Sequence, residues 1–330
     1  MPNPYHIVAI GGGGGATQVL KAAHSFADHL TAIIAVTDTG RSTGLARAIG
    51  SIPAPGDLRA TIAAFATDPL MARLLQQRFS GAGLPQLEGM AFGNLLIAAL
   101  AQVTGDFAAA VAQVEHMVGC TADVLPVAVI DTQLCAALDD GAIMVGELAV
   151  RGLDKPPIKR LFLSDQAPAH PPALAAIRDA DLVVLGPGSL FTTLLASLLF
   201  GGMAEALQGS RGKVVYICNT TTQPGQTDGY RALDHVLRVN EALGPGALDA
   251  VLLNGGRPSP AALARYIADG VLLLQPDDAE IGAIAALGVQ PIVRDLAEQA
   301  DAPRVLWNKQ DSVRHDPTKL SAALKELVIS

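Results

Sequence analysis

Short apolar runs and helical patterns alternate along most of the 330-residue chain. Residues 7–10 form a β-branched run that predicts a buried strand, and a helical apolar pattern that includes Val19 and Leu20 follows directly. The same rhythm returns from residue 30, whereas residues 124–148 show strand patterns separated by turns. We therefore predict an α/β fold with a doubly wound, mostly parallel, Rossmann-like sheet, in a single domain over 1–330 with a β-rich insertion at about 121–150.

Five consecutive glycines separate the first predicted strand from the first predicted helix: Gly11, Gly12, Gly13, Gly14 and Gly15. Glycine lets the backbone come close to a ligand, and a helix start offers unpaired N–H groups and the positive end of its dipole. The segment therefore favours a phosphate, with a purely structural turn as the alternative. It is not a Walker A loop, because no Lys-Ser or Lys-Thr pair follows the last glycine.

A second polar loop follows the predicted strand at 30–36 and contains Asp38, Gly40, Ser42 and Gly44. Open α/β sheets bind ligands at the carboxyl ends of their strands, so this loop is a candidate site, and an ordinary turn is the alternative. Two further polar residues stand at predicted helix starts. Asp57 either faces the ligand or caps its helix, and Asn94 places an amide at the start of another helix.

Three later segments complete the predicted site. Gly186, Pro187, Gly188 and Ser189 form a second strand–turn–helix sequence, which predicts either an anion cradle or a helix cap. The next predicted strand is followed by Asn219, Thr222 and Gln223. Burying such polar side chains costs free energy unless they form hydrogen bonds, so they are candidates for binding a ligand. Arg314 precedes a final helix that Asp316 is expected to cap. We predict that all these segments form the walls of one cleft.

Charge and composition narrow the function classes. The net charge is −8 and the basic residues are scattered, so we expect no nucleic-acid partner. The sequence contains no apolar run long enough for a membrane helix and opens directly on a strand pattern, so we expect no membrane insertion, no signal peptide and a cytoplasmic protein. Cys120, Cys135 and Cys218 lack metal-type spacing and are expected to be buried, reduced thiols.

Read together, the motifs resemble the YvcK/CofD-like family, which includes the gluconeogenesis factors. The resemblance rests on the glycine opening, Asp38 to Gly44, PGDLR at 55–59, GNLLIAAL at 93–100, DLVVLGPGSLFTTLL at 181–195, CNTTTQPGQTDGY at 218–230 and RHDP at 314–317. One branch, CofD, transfers a 2-phospholactyl group to a deazaflavin precursor and typically reads GPSNP where this chain has GPGSL. The chain is more similar to the YvcK branch, which is implied to bind nucleotide sugars such as UDP-N-acetylglucosamine.

The resemblance implies a cytoplasmic regulator of cell shape and cell-wall synthesis during gluconeogenic growth, with a homodimer and a cell-wall synthesis protein as expected partners. The glycine segments would hold phosphates, Asp38, Ser42 and Asn94 would orient ribose or sugar hydroxyls, and Arg314 would pair with a diphosphate. The alternative is a CofD-like 2-phospho-L-lactate transferase in which Asp38 helps to hold Mg²⁺. The chain departs from the family pattern at Gly14, at Thr39 and Arg41, and at 90–92, where a His and a hydroxyl are missing. These losses favour binding over turnover, and no catalytic residue is assigned.

Overall fold

In a computed structural model, the described part of the chain comprises residues 5–81, 87–299 and 313–329. Its strands are β1 His6–Gly11, β2 His29–Ile34, β3 Asp123–Pro126, β4 Leu134–Leu138, β5 Ile143–Val145, β6 Ile158–Leu163, β7 Leu182–Leu185, β8 Lys213–Ile217, β9 Ala250–Asn254 and β10 Gln290–Arg294. Its helices are α1 Gly13–Ala23, α2 Arg41–Gly50, α3 Gly56–Phe65, α4 Pro69–Gln76, α5 Phe92–Thr104, α6 Phe107–Val118, α7 Glu147–Val150, α8 Pro171–Asp179, a π-helical segment Leu190–Leu195, α9 Ala196–Leu198, α10 Met203–Gln208, α11 Ala232–Leu243, α12 Pro260–Ala268, α13 Asp278–Ala286 and α14 Pro317–Ile329.

Seven of these strands form one sheet in the order β10-β9-β8-β7-β1-β2-β3, and every neighbouring pair is parallel. Strand order therefore reverses between β1 and β7, which is the switch point at which doubly wound sheets bind ligands. The apolar runs that form β1 and β7 are fully buried, as expected for a sheet covered on both faces. The predicted α/β class and doubly wound parallel sheet are confirmed.

A smaller, antiparallel sheet has the order β5-β4-β6. Its hairpin turns at residues 139–141, where Gly141 N donates to Leu138 O, as the sequence predicts. The predicted bounds of the insertion, 121–150, need correction at both ends. β3 belongs to the parallel sheet, and Ile158–Leu163, which the sequence pattern assigns to the resumed α/β alternation, pairs with β4. A short apolar run does not reveal the direction of its partner, so the pattern could not distinguish the two sheets.

The apolar segment 270–274 also fits the pattern of a buried strand, but the structure forms no strand there. This segment makes an isolated bridge between Leu273 and Thr221 instead of a ladder. The strand predicted at 304–308 lies outside the described residues. Among the residues that are described, none of the helices combines the length and the hydropathy needed to cross a bilayer.

Just before the first residue of α14, the Asp316 carboxylate accepts from the backbone of Thr318 and Lys319, which confirms the predicted cap.

Candidate functional site

The glycine segment is packed tightly on two sides and open at one position. A β carbon on Gly15 would lie 1.7 Å from the carbonyl oxygen of Pro187, and one on Gly13 would lie 2.8 Å from the carbonyl oxygen of Asp57. A β carbon on Gly12 would lie 2.8 Å from Asp57 Oδ2. Gly14 differs, because a side chain there would meet nothing within 4 Å. Packing alone therefore explains three of the glycines, and only Gly14 is left exposed.

The turn after β7 meets this segment at the switch point. Gly186 N donates to Ile10 O over 2.9 Å, and Gly186 has φ +77°, a conformation that favours glycine. Ser189 accepts from Thr192 N at 3.3 Å, and its hydroxyl donates to Gln226 Oε1 at 2.8 Å. The Ser189 side chain is thus a helix cap, the simpler of the two roles that its sequence position allows.

The predicted site residues surround two clefts rather than one. The first, which we call the Asp38 cleft, has a volume of about 330 Å³, and the predicted residues that line it are Asp38, Gly40, Ser42 and Asp57. The second, the Arg314 cleft, has a volume of about 540 Å³ and is lined by Gly14, Gly15, Pro187, Gly188, Asn219, Gln223 and Arg314. The other predicted residues line neither: Gly11, Gly12, Gly13, Gly44, Asn94, Gly186, Ser189 and Thr222.

The Asp38 cleft draws its walls from five parts of the fold. Asp38 follows β2, Asp57 lies in the first turn of α3, and Thr192 and Thr193 belong to the segment after β7. Asp57 does not cap its helix through its side chain, so that alternative is wrong, and its carboxylate faces the cleft. The fourth wall is α7 with the residue after it, which contribute Glu147, Leu148 and Arg151, and the fifth is the segment with Arg78 and Gly89.

Ser42 and Asn94 form a structural network beside this cleft. The Ser42 hydroxyl donates to Met90 Sδ at 3.2 Å and accepts from Ala91 N at 2.8 Å and from Asn94 Nδ2 at 3.0 Å. Asn94 Oδ1 accepts from Arg59 Nε at 3.0 Å. Both polar side chains are buried, and the Ser42 hydroxyl already makes three hydrogen bonds within the protein. They fix the loop against α5, and a role in orienting ligand hydroxyls stays a prediction.

Two buried arginines shape the same region. Arg47 binds Asp131 Oδ1 through Nε and Nη2, at 3.0 and 2.6 Å, and donates to the carbonyl oxygen of Asp38 at 3.1 Å. It therefore ties the Asp38 loop to the start of the small sheet. Within the described part of the chain no carboxylate is bonded to Arg59, and burial lowers the pKa of its guanidinium to about 10. Its positive charge lies two residues beyond Asp57.

The Arg314 cleft is lined by groups suited to anions. The backbone N–H groups of Gly14 and Gly15 lie in the first turn of α1, where the first helical bond runs from Ala16 N to Gly12 O. Lys21 on the same helix and Arg314 supply two cations. Asn219 Nδ2 donates to Gly188 O at 2.7 Å, which joins the loop after β8 to the turn after β7. Thr222 accepts from Leu272 N and is structural.

A short ladder holds Arg314 in place. Arg314 O accepts from Glu298 N at 2.9 Å, and Asp316 N donates to Leu296 O at 2.7 Å. Leu296 N in turn donates to Oδ1 of the buried Asn254, at the carboxyl end of β9. The neighbouring His315 is buried, and burial lowers the pKa of its imidazole to about 4, so it is neutral at pH 7.

The histidine and cysteine side chains considered outside the clefts are poorly suited to acid–base or nucleophilic chemistry. His235 is buried, its Nδ1 lies 3.0 Å from Arg231 O, and burial lowers its pKa, while Asp234 accepts from Arg231 N. Burial raises the pKa of the Cys120 thiol to about 11 and that of Cys218 to about 12. In the described residues, no three or more His, Cys, Asp or Glu side chains are grouped so that they could hold a metal ion.

Sequence reasoning missed several residues that line the clefts. Lys21 and Thr193 belong to motifs that the sequence analysis had identified. Their position one to two turns into a helix could have indicated that they line a cleft. Arg151 and Leu148 lie after the hairpin, and nothing in their local pattern indicates that α7 packs over the Asp38 cleft. Thr39, one of the departures from the family pattern, accepts from Leu148 N at 3.3 Å and so helps to hold α7.

Comparisons with known proteins agree with this architecture. The family model described as 2-phospho-L-lactate transferase CofD matches residues 7–297. A gluconeogenesis factor of Halalkalibacterium halodurans is 36% identical over 325 residues, covering 97% of this chain and 96% of that protein. The gluconeogenesis factor of Bacillus subtilis is 35% identical over 324 residues, which cover 98% of each chain.

Among solved structures, a UPF0052 family member from Bacillus halodurans superposes with a TM-score of 0.87 at 34% identity. That superposition covers 97% of this chain and 99% of the other. The sequence alignments and the structural superposition therefore cover almost the same part of this chain. The chain belongs to the CofD-like family and, within it, to the YvcK-type gluconeogenesis factors.

Proposed function

We propose that this protein is a cytoplasmic, nucleotide-sugar-binding regulator that supports cell shape and cell-wall synthesis during gluconeogenic growth. The observation that carries the proposal is the convergence of the first turn of α1, the turn after β7 and Arg314 on one cleft at the sheet's switch point. A homodimer and a protein partner in cell-wall synthesis belong to the same proposal. UDP-N-acetylglucosamine is the ligand with which we would begin.

The helix start supplies the first part of a diphosphate site. The N–H groups of Gly14 and Gly15 have no partner four residues earlier within α1, and the helix dipole adds partial positive charge there. Gly14 leaves space above the backbone, so a phosphate oxygen can approach its N–H closely. A purely structural glycine turn does not require this opening.

Arg314 supplies the second part. Its side chain is exposed, and among the described residues it has no ion-pair partner. Its backbone is fixed on both sides, since Arg314 N donates to Glu298 Oε1 at 3.0 Å and Arg314 O accepts from Glu298 N. A guanidinium with a fixed backbone and free donors can bind a diphosphate through two oxygens.

Isothermal titration calorimetry with UDP-N-acetylglucosamine and other nucleotide sugars tests this proposal. We expect binding to the wild-type protein and a loss of at least tenfold in affinity for Arg314→Ala, because a charge-assisted bond is removed. Arg178→Ala is the matched control, since Arg178 is exposed on α8 and lines neither cleft. No heat with any nucleotide sugar, or equal affinity in Arg314→Ala, would contradict the proposal.

A second candidate is a CofD-like transferase that moves a phospholactyl group to a deazaflavin acceptor. The description of the matching family model favours it, and Asp38 and Asp57 line one cleft beside the glycine segment. Mg²⁺ is commonly bound by one or two carboxylates together with substrate phosphates, so Asp38 would hold it only with the substrate's help. Incubation with the acceptor and an activated phospholactate donor, with and without Mg²⁺, distinguishes the candidates. Product formation would favour the transferase, and absence of product at saturating donor would exclude the transferase.

A further inference from the structure

The Asp38 cleft and the Arg314 cleft both border the glycine segment. Gly12 lies against Asp57 and Thr193, which line the Asp38 cleft, while Gly15 lies against Pro187, which lines the Arg314 cleft. The short stretch from Gly12 to Gly15 therefore contacts residues of both clefts. A ligand whose phosphates lie over the α1 start can reach into both.

The Asp38 cleft is rich in hydrogen-bond acceptors. Among the described residues, the Asp57 carboxylate has no hydrogen-bond partner, and Asp38 uses Oδ1 to accept from Gly40 N at 2.8 Å. Thr193 adds a hydroxyl to the same lining. Arg78, Glu147 and Arg151 also line the cleft, and Arg151 is paired with Glu147 at 3.2 Å. The carboxylates of Asp38 and Asp57 are therefore the acceptors that can bond neutral hydroxyl groups. The chemistry of this cleft therefore complements a sugar ring, whereas that of the Arg314 cleft complements a diphosphate.

Helix α7 and the residues after it cover the Asp38 cleft. Their two anchors lie on different loops: Leu148 N donates to Thr39 Oγ1 at 3.3 Å, and Lys155 Nζ donates to Gly225 O. Leu148 and Arg151 form part of the cleft lining between these anchors. Because the volume of about 330 Å³ is at the lower end of the range for small-molecule sites, the covered cleft suits one ring rather than a chain of sugars.

We propose that the Asp38 cleft is the sugar subsite, in which Asp57 accepts hydrogen bonds from the hydroxyls of the hexose while the diphosphate lies across the α1 start. This inference rests on the proposed nucleotide-sugar function. It assigns the sugar and the nucleotide to different clefts. It also gives Asp57 a role in sugar binding that its position at the start of α3 does not require.

Calorimetry with UDP alone and with UDP-N-acetylglucosamine separates the two subsites. We expect the wild-type protein to bind the nucleotide sugar about tenfold more tightly than UDP, since hydrogen bonds to a charged group are the stronger ones. Asp57→Asn should remove that difference and leave the affinity for UDP within twofold. Thr193→Val, which keeps the side-chain volume, should reduce the difference without changing UDP binding. Asp28→Asn is the control, because Asp28 is exposed and lines neither cleft.

The outcomes distinguish the two claims. Equal wild-type affinity for UDP and the nucleotide sugar would overturn the sugar subsite and leave the nucleotide site standing. An undiminished difference in Asp57→Asn, with a melting temperature equal to that of the wild type, would also overturn it. Absence of binding to both ligands would overturn the proposed function, and the subsite with it.

Discussion

A β carbon on Gly15 would lie 1.7 Å from the carbonyl oxygen of Pro187, so these two residues fix the separation between α1 and the turn after β7. The contact brings together the loops that follow β1 and β7, the two strands at the switch point. Part of the glycine run is thus explained by close backbone packing. Packing gives no reason for glycine at the exposed Gly14 or at the buried Gly11, where a β carbon would lie 3.9 Å from Gly186 Cα.

Alanine substitutions at neighbouring glycines should have opposite effects on stability. Gly15→Ala forces a methyl group onto backbone atoms, and we expect it to lower the free energy of unfolding by about 3 kcal/mol or more. Gly14→Ala meets no atom within 4 Å, so its effect should stay within about 1 kcal/mol. Urea unfolding followed by circular dichroism measures both. Equal destabilisation by the two variants would contradict this packing account.

Side-chain size at Gly14 should affect binding without affecting the fold. Gly14→Leu places a bulky group in the Arg314 cleft, and we expect about tenfold weaker binding of UDP-N-acetylglucosamine with little change in melting temperature. Gly14→Thr is the matched variant, because it also adds a side chain but its hydroxyl can bond a phosphate. Binding by Gly14→Thr should equal or exceed that of the wild type. Unimpaired binding by Gly14→Leu would place the phosphates elsewhere.

Removing Arg47 should destabilise the protein through the Asp38 loop. Arg47→Met leaves the carbonyl oxygens of Asp38 and Thr132 without this donor and breaks the bond to Asp131. Because Arg47 is only 8% exposed, we expect a loss of about 2 kcal/mol or more in the free energy of unfolding. Arg178→Ala, on an exposed helix surface, is the control for removal of a positive charge. A loss no larger than that of the control would show that the Arg47 bonds contribute little.

The sequence predicts the parallel sheet well because its strands are short, buried apolar runs such as 7–10 and 30–36, followed directly by glycines in the first case and by polar residues in the second. It does not predict which polar side chains remain available to a ligand. Ser42 and Asn94 have the same composition signal as Asp38 and Asp57, but they bond one another. That distinction depends on contacts between residues 52 positions apart, which local pattern cannot reveal. The division into two clefts was unpredictable for the same reason.

The free energy of unfolding should depend on pH through the protonation of the Glu115 carboxyl. Burial raises the pKa of this carboxyl to about 7, and the nearby Asp123 adds to the effect. Because the folded-state value is raised, between pH 4.5 and 7 the folded protein binds more protons than the unfolded chain, and the stabilisation from this group is lost as the pH rises through 7. Glu115→Gln stays neutral and keeps an oxygen to accept from Val124 N.

We therefore expect Glu115→Gln to be more stable than the wild type by about 2 kcal/mol at pH 8 and to differ little from it at pH 5. Thermal unfolding at the two pH values measures the change. A difference of the same size at both pH values would show that the Glu115 charge is not responsible.

The crystal structure of the protein with bound UDP-N-acetylglucosamine tests the central claim most directly. The account predicts diphosphate oxygens within about 2.7–3.2 Å of the backbone nitrogens of Gly14 or Gly15 and of the Arg314 guanidinium. It also predicts the sugar ring in the Asp38 cleft, with a hydroxyl bonded to Asp57. A diphosphate bound away from Gly14 and Arg314, or a ligand found outside both clefts, would contradict it.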